Sequence, residues 1–229
     1  MKLKLSCLAF FVLFAAIAPG TLSAQYLHPK ITSKETTIRN VVVLPAKVEI
    51  VKQSMKGPEG MAAESDLLST RITQLTTEIL AAKHISALTG AAATLSDPDS
   101  QKKYTLSDLQ SRYDALLPKI ARKPKDVKKG RFSMGDEVLN LNLDKTADAI
   151  IFIRGQGQNL TKGKTAYAIL NPFSFTFPYL LLTIGIVDAH TGEVLVFTQP
   201  VWPIEATNKN EKALRMLIEK SLKKLPAAP

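Results

Sequence analysis

Three histidines are the residues of this sequence best suited to acid–base or metal chemistry, and their spacing supports neither. His28, His84 and His190 lie far apart, and no two of them have a metal-ligand spacing such as H-x-x-x-H. The sequence also contains no nucleophile motif of the G-x-S-x-G type. We therefore predict a protein that is not an enzyme, with no catalytic residue, no cofactor and no metal site.

Two smaller features could suggest other chemistry. Gly155 and Gly157 follow a strand-like segment, but a dinucleotide-binding loop needs a third glycine and a helix after it, so we interpret the pair as a bend. The only cysteine, Cys7, lies in the first segment of the chain. The remainder has no thiol to form a disulfide, so an apolar core must stabilise the fold.

The first 24 residues have the layout of a secretory signal peptide. Lys2 and Lys4 precede the apolar stretch 8–18, and Ala24 supplies a small residue before Gln25. The alternative is a retained N-terminal anchor, although the stretch is shorter than the ~20 residues of a spanning helix. We predict cleavage after Ala24 and a periplasmic or outer-membrane-associated protein.

Residues 119–131 are strongly basic, with Asp126 as their only acid, and the net charge of the whole chain is +10. We interpret them as a loop that follows a helix ending at Pro118. They are either a solvated surface or a contact for anionic lipid, where each cation contributes about 1 kcal/mol. A nucleic-acid partner is not expected, because the protein is exported and the segment has no interleaved aromatics. The candidate interaction residues here are Arg122, Lys123, Lys125, Lys128, Lys129 and Arg131.

The segment 166–177 (AYAILNPFSFTF) is unusually rich in aromatic and apolar residues. Its period-2 spacing permits a strand that points Phe173, Phe175 and Phe177 into the core. Alternatively, the segment is an exposed patch for a partner subunit or a membrane. Under this second hypothesis, Phe173→Ser with Phe175→Ser abolishes association without unfolding the protein. The candidate residues are Tyr167, Leu170, Phe173, Phe175 and Phe177.

The elements that would position these residues follow from hydrophobic periodicity. Strands are predicted at 41–44, 149–153, 179–187 and 194–198, and all four should share one sheet. Helices are predicted at 61–83, from 105 to Pro118, over the short segment 136–145 and at 211–225. The segments 56–60 and 155–164 are expected to be loops, and 25–39 an extended leader with little core of its own.

Two of these elements can be predicted in more detail. The stripe of Leu68, Ile72, Leu75 and Ile79 should pack helix 61–83 on the sheet. Asp188 and Gly192 should form the turn of a hairpin, with Asp188 accepting hydrogen bonds from backbone amides. The fold class is therefore α/β, a single-domain sandwich with a mixed β-sheet flanked by helices, after a signal peptide (1–24) and the leader (25–39).

Three segments occur in an order that resembles a known family. They are VVVLP at 41–45, TADAIIF at 146–152 and LTIGIVDAHTGEVL at 182–195. Together they resemble the bacterial envelope family that includes the curli-secretion channel CsgG and the penicillin-binding-protein activator LpoB. This resemblance implies a CsgG/LpoB-like α/β domain over 40–225. It also implies a non-enzymatic role in the envelope, as an accessory or scaffold protein.

The function predicted from the sequence is therefore binding. We expect an exported envelope accessory or assembly protein whose partner is an envelope protein or its own subunits, with an anionic membrane surface as a further partner. One alternative is a solute or lipid carrier, which would need a sizeable apolar pocket. The other is an exported enzyme of an unrecognised kind.

Overall fold

The structure is a computed structural model, and it describes residues 25–89, 106–135, 138, 147–170 and 177–227. Within these ranges the chain forms a mixed nine-stranded sheet flanked by helices, as the sequence predicts. The predicted signal peptide, most of the predicted helix 136–145, and Phe173 and Phe175 lie outside the described residues.

The described strands and helices are named here in chain order. The strands are β1 (Gln25–Leu27), β2 (Asn40–Val43), β3 (Lys47–Ser54), β4 (Gly57–Gly60), β5 (Ser86–Thr89), β6 (Ala149–Leu160), β7 (Tyr179–Asp188), β8 (Val194–Thr198) and β9 (Val201–Trp202). The helices are α1 (Pro29–Thr32), α2 (Ala62–Ala81), α3 (Leu106–Arg122), α4 (Lys162–Leu170) and α5 (Glu211–Ser221), with a 3-10 helix at Pro124–Lys129.

The long strand β6 organises the sheet, whose main order is β1-β8-β7-β6-β2-β5. On one side β6 pairs antiparallel with β7, from Ala149 opposite Asp188 to Gln158 opposite Tyr179. On its other side it pairs in parallel first with β2 and then, beyond Ile153, with β3. The four strands predicted to share a sheet do so.

One face of the sheet is covered by α2 and α5. The predicted stripe of α2, Leu68, Ile72, Leu75 and Ile79, is buried against this face. Helix α5 ends at Ser221, four residues before the predicted end, and the turn after it continues the same apolar contact. The side chains buried here are Leu214, Leu217, Ile218, Leu222 and Leu225. Both helices stay in place because they bury apolar area, which outweighs the modest helix propensity of the threonines in α2.

Helix α2 also covers the open edge of β3. The hydroxyls of Ser65, Ser69 and Thr73, spaced four residues apart, accept hydrogen bonds from successive alternate backbone amides of the strand segment. The donor–acceptor distances are 2.9 Å at Ala46, 3.1 Å at Val48 and 3.0 Å at Ile50. Polar residues that look unfavourable for a helix thus satisfy strand amides that would otherwise lack partners.

The opposite face is covered by α3 and the 3-10 helix. Tyr113 of α3 stacks on Phe152 of β6 with ring centroids 4.2 Å apart, and its hydroxyl lies against Gly185 of β7. The hydroxyl is fully buried and has no hydrogen-bond partner among the described residues. Burial also raises the pKa of this phenol well above its ordinary value of 10.0.

The predicted leader was expected to have little core of its own, but it packs on the sheet and contributes to the core. β1 pairs antiparallel with β8, and Ile31 and Ile38 are buried. The Gln25 side chain donates to the carbonyl of Lys220 at 2.8 Å and accepts from the amide of Lys224 at 2.9 Å. The prediction failed because these partners lie at the other end of the sequence.

Other local predictions were also wrong. Residues 57–60, expected in a loop, form β4, which pairs with the end of β3. Helix α3 does not end at Pro118 but continues to Arg122. Proline removes one helical hydrogen bond, and the complete burial of Ile120 beyond it holds the last turn in place.

The expected bend at Gly155 and Gly157 is instead the continuation of β6. A Cβ at Gly155 would lie 2.9 Å from both methyl carbons of Val48, and one at Gly157 would clash with the side chain of Ala206. Both positions are glycine because neighbouring groups pack directly on the strand backbone. The predicted loop 155–164 therefore consists of the second half of β6 and the start of α4.

Candidate interaction surfaces

The histidines occupy separate structural positions. His190 lies in the β7–β8 turn, and His84 follows α2 with a positive φ of 59°. His28 is buried, and its Nδ1 accepts the amide of Lys30 at 3.2 Å to cap α1. Within the described ranges, no group of three or more His, Cys, Asp or Glu side chains could hold a metal ion.

The environment of His28 is nevertheless unusual. Its Nε2 is buried against Gly130, at the C-terminal cap of the 3-10 helix, without a hydrogen-bond partner among the described residues. Burial lowers the pKa of His28 below 6.5, although Glu193 acts in the opposite direction. Lys30 and Glu193 form an ion pair beside it, which raises the pKa of Lys30 and lowers that of Glu193.

The β7–β8 turn has the chemistry that the sequence predicted. The Asp188 carboxylate accepts the amides of His190 at 2.8 Å and Thr191 at 2.9 Å. Gly192, the other predicted turn residue, has a positive φ of 70°. These hydrogen bonds close the turn and explain why an aspartate occupies position 188.

The basic segment is mostly helical and is not the loop that the sequence predicts. Lys119 and Arg122 lie on the last turns of α3, and the 3-10 helix follows with Gly130 as its left-handed cap. Val127 and Ile120 are fully buried beneath it. Seven cationic side chains are exposed here, and we call them the basic surface: Lys119, Arg122, Lys123, Lys125, Lys128, Lys129 and Arg131.

Two of these cations are partly neutralised. Asp126 lies 3.7 Å from Lys129 and 3.8 Å from Arg131. Lys128 stands 5.9 Å over the ring of Tyr26 in β1. The 3-10 helix packs on β1 and β8, so the basic surface lies at the β1 edge of the sheet.

The described residues of the aromatic segment lie in two places, at the end of α4 and just before β7. Its first five residues, 166–170, belong to α4, where Tyr167 and Leu170 are exposed, Leu170 by 84%. Phe177 is also exposed, just before β7 begins. These three side chains lie outside the core, as the exposed-patch alternative expects, whereas Phe173 and Phe175 remain untested.

Exposed apolar side chains gather at one end of the sheet, where β3 and β6 finish and β7 starts. Met55 follows the last residue of β3, whose Gln53 carbonyl accepts the amide of Thr161 at the start of α4. Gln158 of β6 donates to the Phe177 carbonyl at 3.1 Å. We call five side chains at this end the distal patch: Met55, Tyr167, Leu170, Phe177 and Val201.

The sheet face beside the distal patch is only partly covered. Helix α3 crosses this face at Phe152 and Arg154, where Asp114 pairs with Arg154. Nearer the distal end, Gln156 is exposed, and the neighbouring side chains of Val51, Gln158, Tyr179 and Leu181 are half-buried. The sequence did not indicate this surface, because residues 155–164, with Gln156 and Gln158, were predicted to be a loop. The alternation of glycine and glutamine at 155–158 was the available signal for a strand.

The structure does not bring the two candidate surfaces together. The basic surface lies on β1 and β8, whereas α4 contacts β3 on the far side of the sheet. Four inter-strand spacings separate β1 from β3, or roughly 19 Å. The basic surface and the α4 part of the aromatic segment therefore do not belong to one contact.

Among the described residues, no helix is long and apolar enough to cross a membrane. No protein-family model matches the sequence, and no curated protein matches it. Among solved structures, the chain is similar to the PelC dodecamer from Paraburkholderia phytofirmans, with 10% identity, a TM-score of 0.40 and coverage of 90% of this chain and 98% of that one. It is also similar to lipoprotein GNA1162 from Neisseria meningitidis, with 10% identity, a TM-score of 0.37 and coverage of 81% and 94%.

Proposed function

We propose that this protein is an exported, non-enzymatic accessory or assembly protein of the bacterial envelope. In this proposal residues 1–24 are a cleaved signal peptide, and the mature chain is one α/β domain of the CsgG/LpoB-like family. It acts by binding its own subunits or another envelope protein. The export signal supports the location, and the three sequence segments that resemble the family support the type of role.

The distal patch is the observation that carries the binding role. Its apolar side chains come from four separate parts of the chain, and exposing them to water has a cost unless a partner covers them. Single exposed apolar residues are common, but five at one end of a sheet are typical of an interaction site. The half-covered sheet face beside them, with Tyr179 and Leu181, enlarges the area that a partner could bury.

A second surface supports a second mode of binding. The basic surface presents exposed cations on helical segments that pack on β1 and β8, which favours contact with an anionic envelope surface. The two modes are compatible, because they use different residues.

The test of the proposed function uses the mature chain from Gln25 and the double variant Leu170→Ser with Phe177→Ser. Both side chains are exposed, so we expect circular dichroism and thermal melting to remain unchanged. Light scattering over a concentration series should show that the wild type self-associates and that the variant is shifted towards monomer by tenfold or more in dissociation constant, about 1.4 kcal/mol.

The matched control is Leu88→Ser with Met216→Ser, which removes two exposed apolar side chains from β5 and α5. This control should associate as the wild type does. If wild type, variant and control associate equally, or if the wild type is monomeric at all concentrations and captures no envelope protein, the distal patch is not a binding site.

A further inference from the structure

The charges of the basic surface are largely uncompensated. Asp126 is its only acid and lies near two of the seven cations, Lys129 and Arg131. Within the described part of the chain, Arg122, Lys123 and Lys125 make no ion pair. A row of exposed cations of this kind produces a strongly positive local potential that attracts a polyanion.

The surface is also held in place before any partner binds. The side chains of Val127 in the 3-10 helix and Ile120 in the last turns of α3 are fully buried. Gly130 closes the 3-10 helix, because its amide donates to the carbonyls of Asp126 and Val127. Pro124 further restricts its first turn. A partner therefore does not need to order the backbone, and only lysine and arginine side chains lose freedom.

The composition of the surface indicates what kind of polyanion it fits. Five of its seven cations are lysines, which act as flexible point charges, and one of the two arginines, Arg131, is near Asp126. Specific recognition of a single phosphate or carboxylate favours arginine in a fixed bidentate geometry. Exposed lysines suit a diffuse array of negative charges.

We propose that the basic surface docks the protein onto an anionic lipid bilayer. This inference deepens the proposed function by naming the partner of one of its two surfaces, and it rests on that proposal only for the export of the chain. The contact is peripheral and electrostatic, because the segment 119–131 contains no exposed aromatic or large aliphatic side chain to insert among the lipids. Binding should therefore weaken steeply as salt screens the charges.

The test is co-sedimentation of the mature chain with phosphatidylcholine vesicles, with and without phosphatidylglycerol. The variant carries Arg122→Gln, Lys123→Gln and Lys125→Gln. Each cation near an anionic surface is worth about fivefold in the partition constant, so the triple variant should bind on the order of a hundredfold more weakly. The single variant Lys125→Gln should lose about fivefold, and it keeps the test decisive if the triple variant does not fold.

The matched control removes the same charge elsewhere, with Lys209→Gln, Lys212→Gln and Lys223→Gln near and on α5. This control should lose only a few-fold, through net charge alone. If the triple variant and the control lose the same amount of vesicle binding, the proposal is wrong. It is also wrong if the wild type binds neutral and anionic vesicles equally well. Binding to a soluble acidic wall polymer with none to the vesicles also overturns it, in favour of a different polyanion.

The two proposals fail in distinguishable ways. Self-association through the distal patch is measured without vesicles, and vesicle binding is measured at concentrations where the protein is monomeric. A chain that associates but does not bind anionic vesicles refutes only the membrane contact. A chain that binds the vesicles through the basic surface but never associates or captures a partner refutes only the role of the distal patch.

Discussion

Gly185→Ala is a sharp test of how α3 packs on the sheet. A Cβ at this position would lie 2.7 Å from Cζ and 2.8 Å from Cε2 of Tyr113, and still closer to its hydroxyl oxygen. The ring cannot easily retreat, because it is fully buried and stacked on Phe152. Overpacking of a core of this kind costs about 1–3 kcal/mol, and we expect Gly185→Ala to fall in the upper half of that range.

Tyr113→Phe supplies the second arm of a double-mutant cycle. It removes a buried hydroxyl without a hydrogen-bond partner among the described residues, so we expect a neutral or stabilising change of about 0–2 kcal/mol. It also removes the closest of the three contacts to the new methyl group while leaving the two ring carbons. Gly185→Ala should therefore cost about 1 kcal/mol less in the Tyr113→Phe background than in the wild type.

The assay is urea unfolding, followed by circular dichroism and by the fluorescence of Trp202, the only tryptophan of the chain. The midpoint should shift with little change in slope, because both variants alter packing and not the area exposed on unfolding. Two results would refute the reasoning. One is a Tyr113→Phe variant less stable by more than about 1 kcal/mol, which would mean that the hydroxyl has a partner. The other is additive single changes, which would mean that the two groups do not touch.

Two further predictions concern stability. Ile72→Ala should destabilise the protein by about 2–5 kcal/mol in denaturant melts, because the Ile72 side chain is fully buried between α2 and the sheet. A loss of only a few tenths of a kcal/mol would show that the stripe of α2 is not core. Burial lowers the pKa of His28 below 6.5, so its stabilising contribution is fully present above pH 6.5 and is lost as the pH falls. The variant His28→Asn keeps a side-chain acceptor for the α1 cap but does not titrate. The unfolding free energy of the variant should therefore fall less than that of the wild type as the pH drops below 6.5. If the two unfolding free energies change in parallel with pH, the reasoning is wrong.

The features that the sequence predicted correctly depend on local patterns. The stripe of α2 follows from apolar residues spaced three and four apart, and its burial needs only a surface to pack on. The β7–β8 hairpin follows from β-rich segments around a turn where Asp188 and Gly192 have the required chemistry. The sheet membership of β2, β6, β7 and β8 follows from their apolar and β-branched composition.

The errors arose where residues distant in sequence decide the local structure. Gln25 forms its side-chain hydrogen bonds 195 and 199 positions away, so a polar segment that looks like a leader becomes a strand. Gly157 is glycine because Ala206 packs on it, and no local pattern shows this. The distal patch could not be predicted as a unit for the same reason, since Met55 and Val201 join Leu170 only through the pairing of β3, β6, β7 and β9.

The separation of the two surfaces has a consequence for how the proposed activities combine. The basic surface lies on β1 and β8, and the distal patch lies at the end of the sheet where β3 and β6 finish and β7 starts. The two surfaces share no residue, so a partner bound to one of them leaves the residues of the other exposed. A protein docked on a bilayer through Arg122, Lys123 and Lys125 would still present Leu170 and Phe177 to a neighbour. Confining molecules to a membrane surface raises their effective concentration, which promotes association without any new contact. Association that is weak in solution should therefore strengthen on anionic vesicles, and the basic-surface triple variant should lose that gain while keeping its affinity in solution.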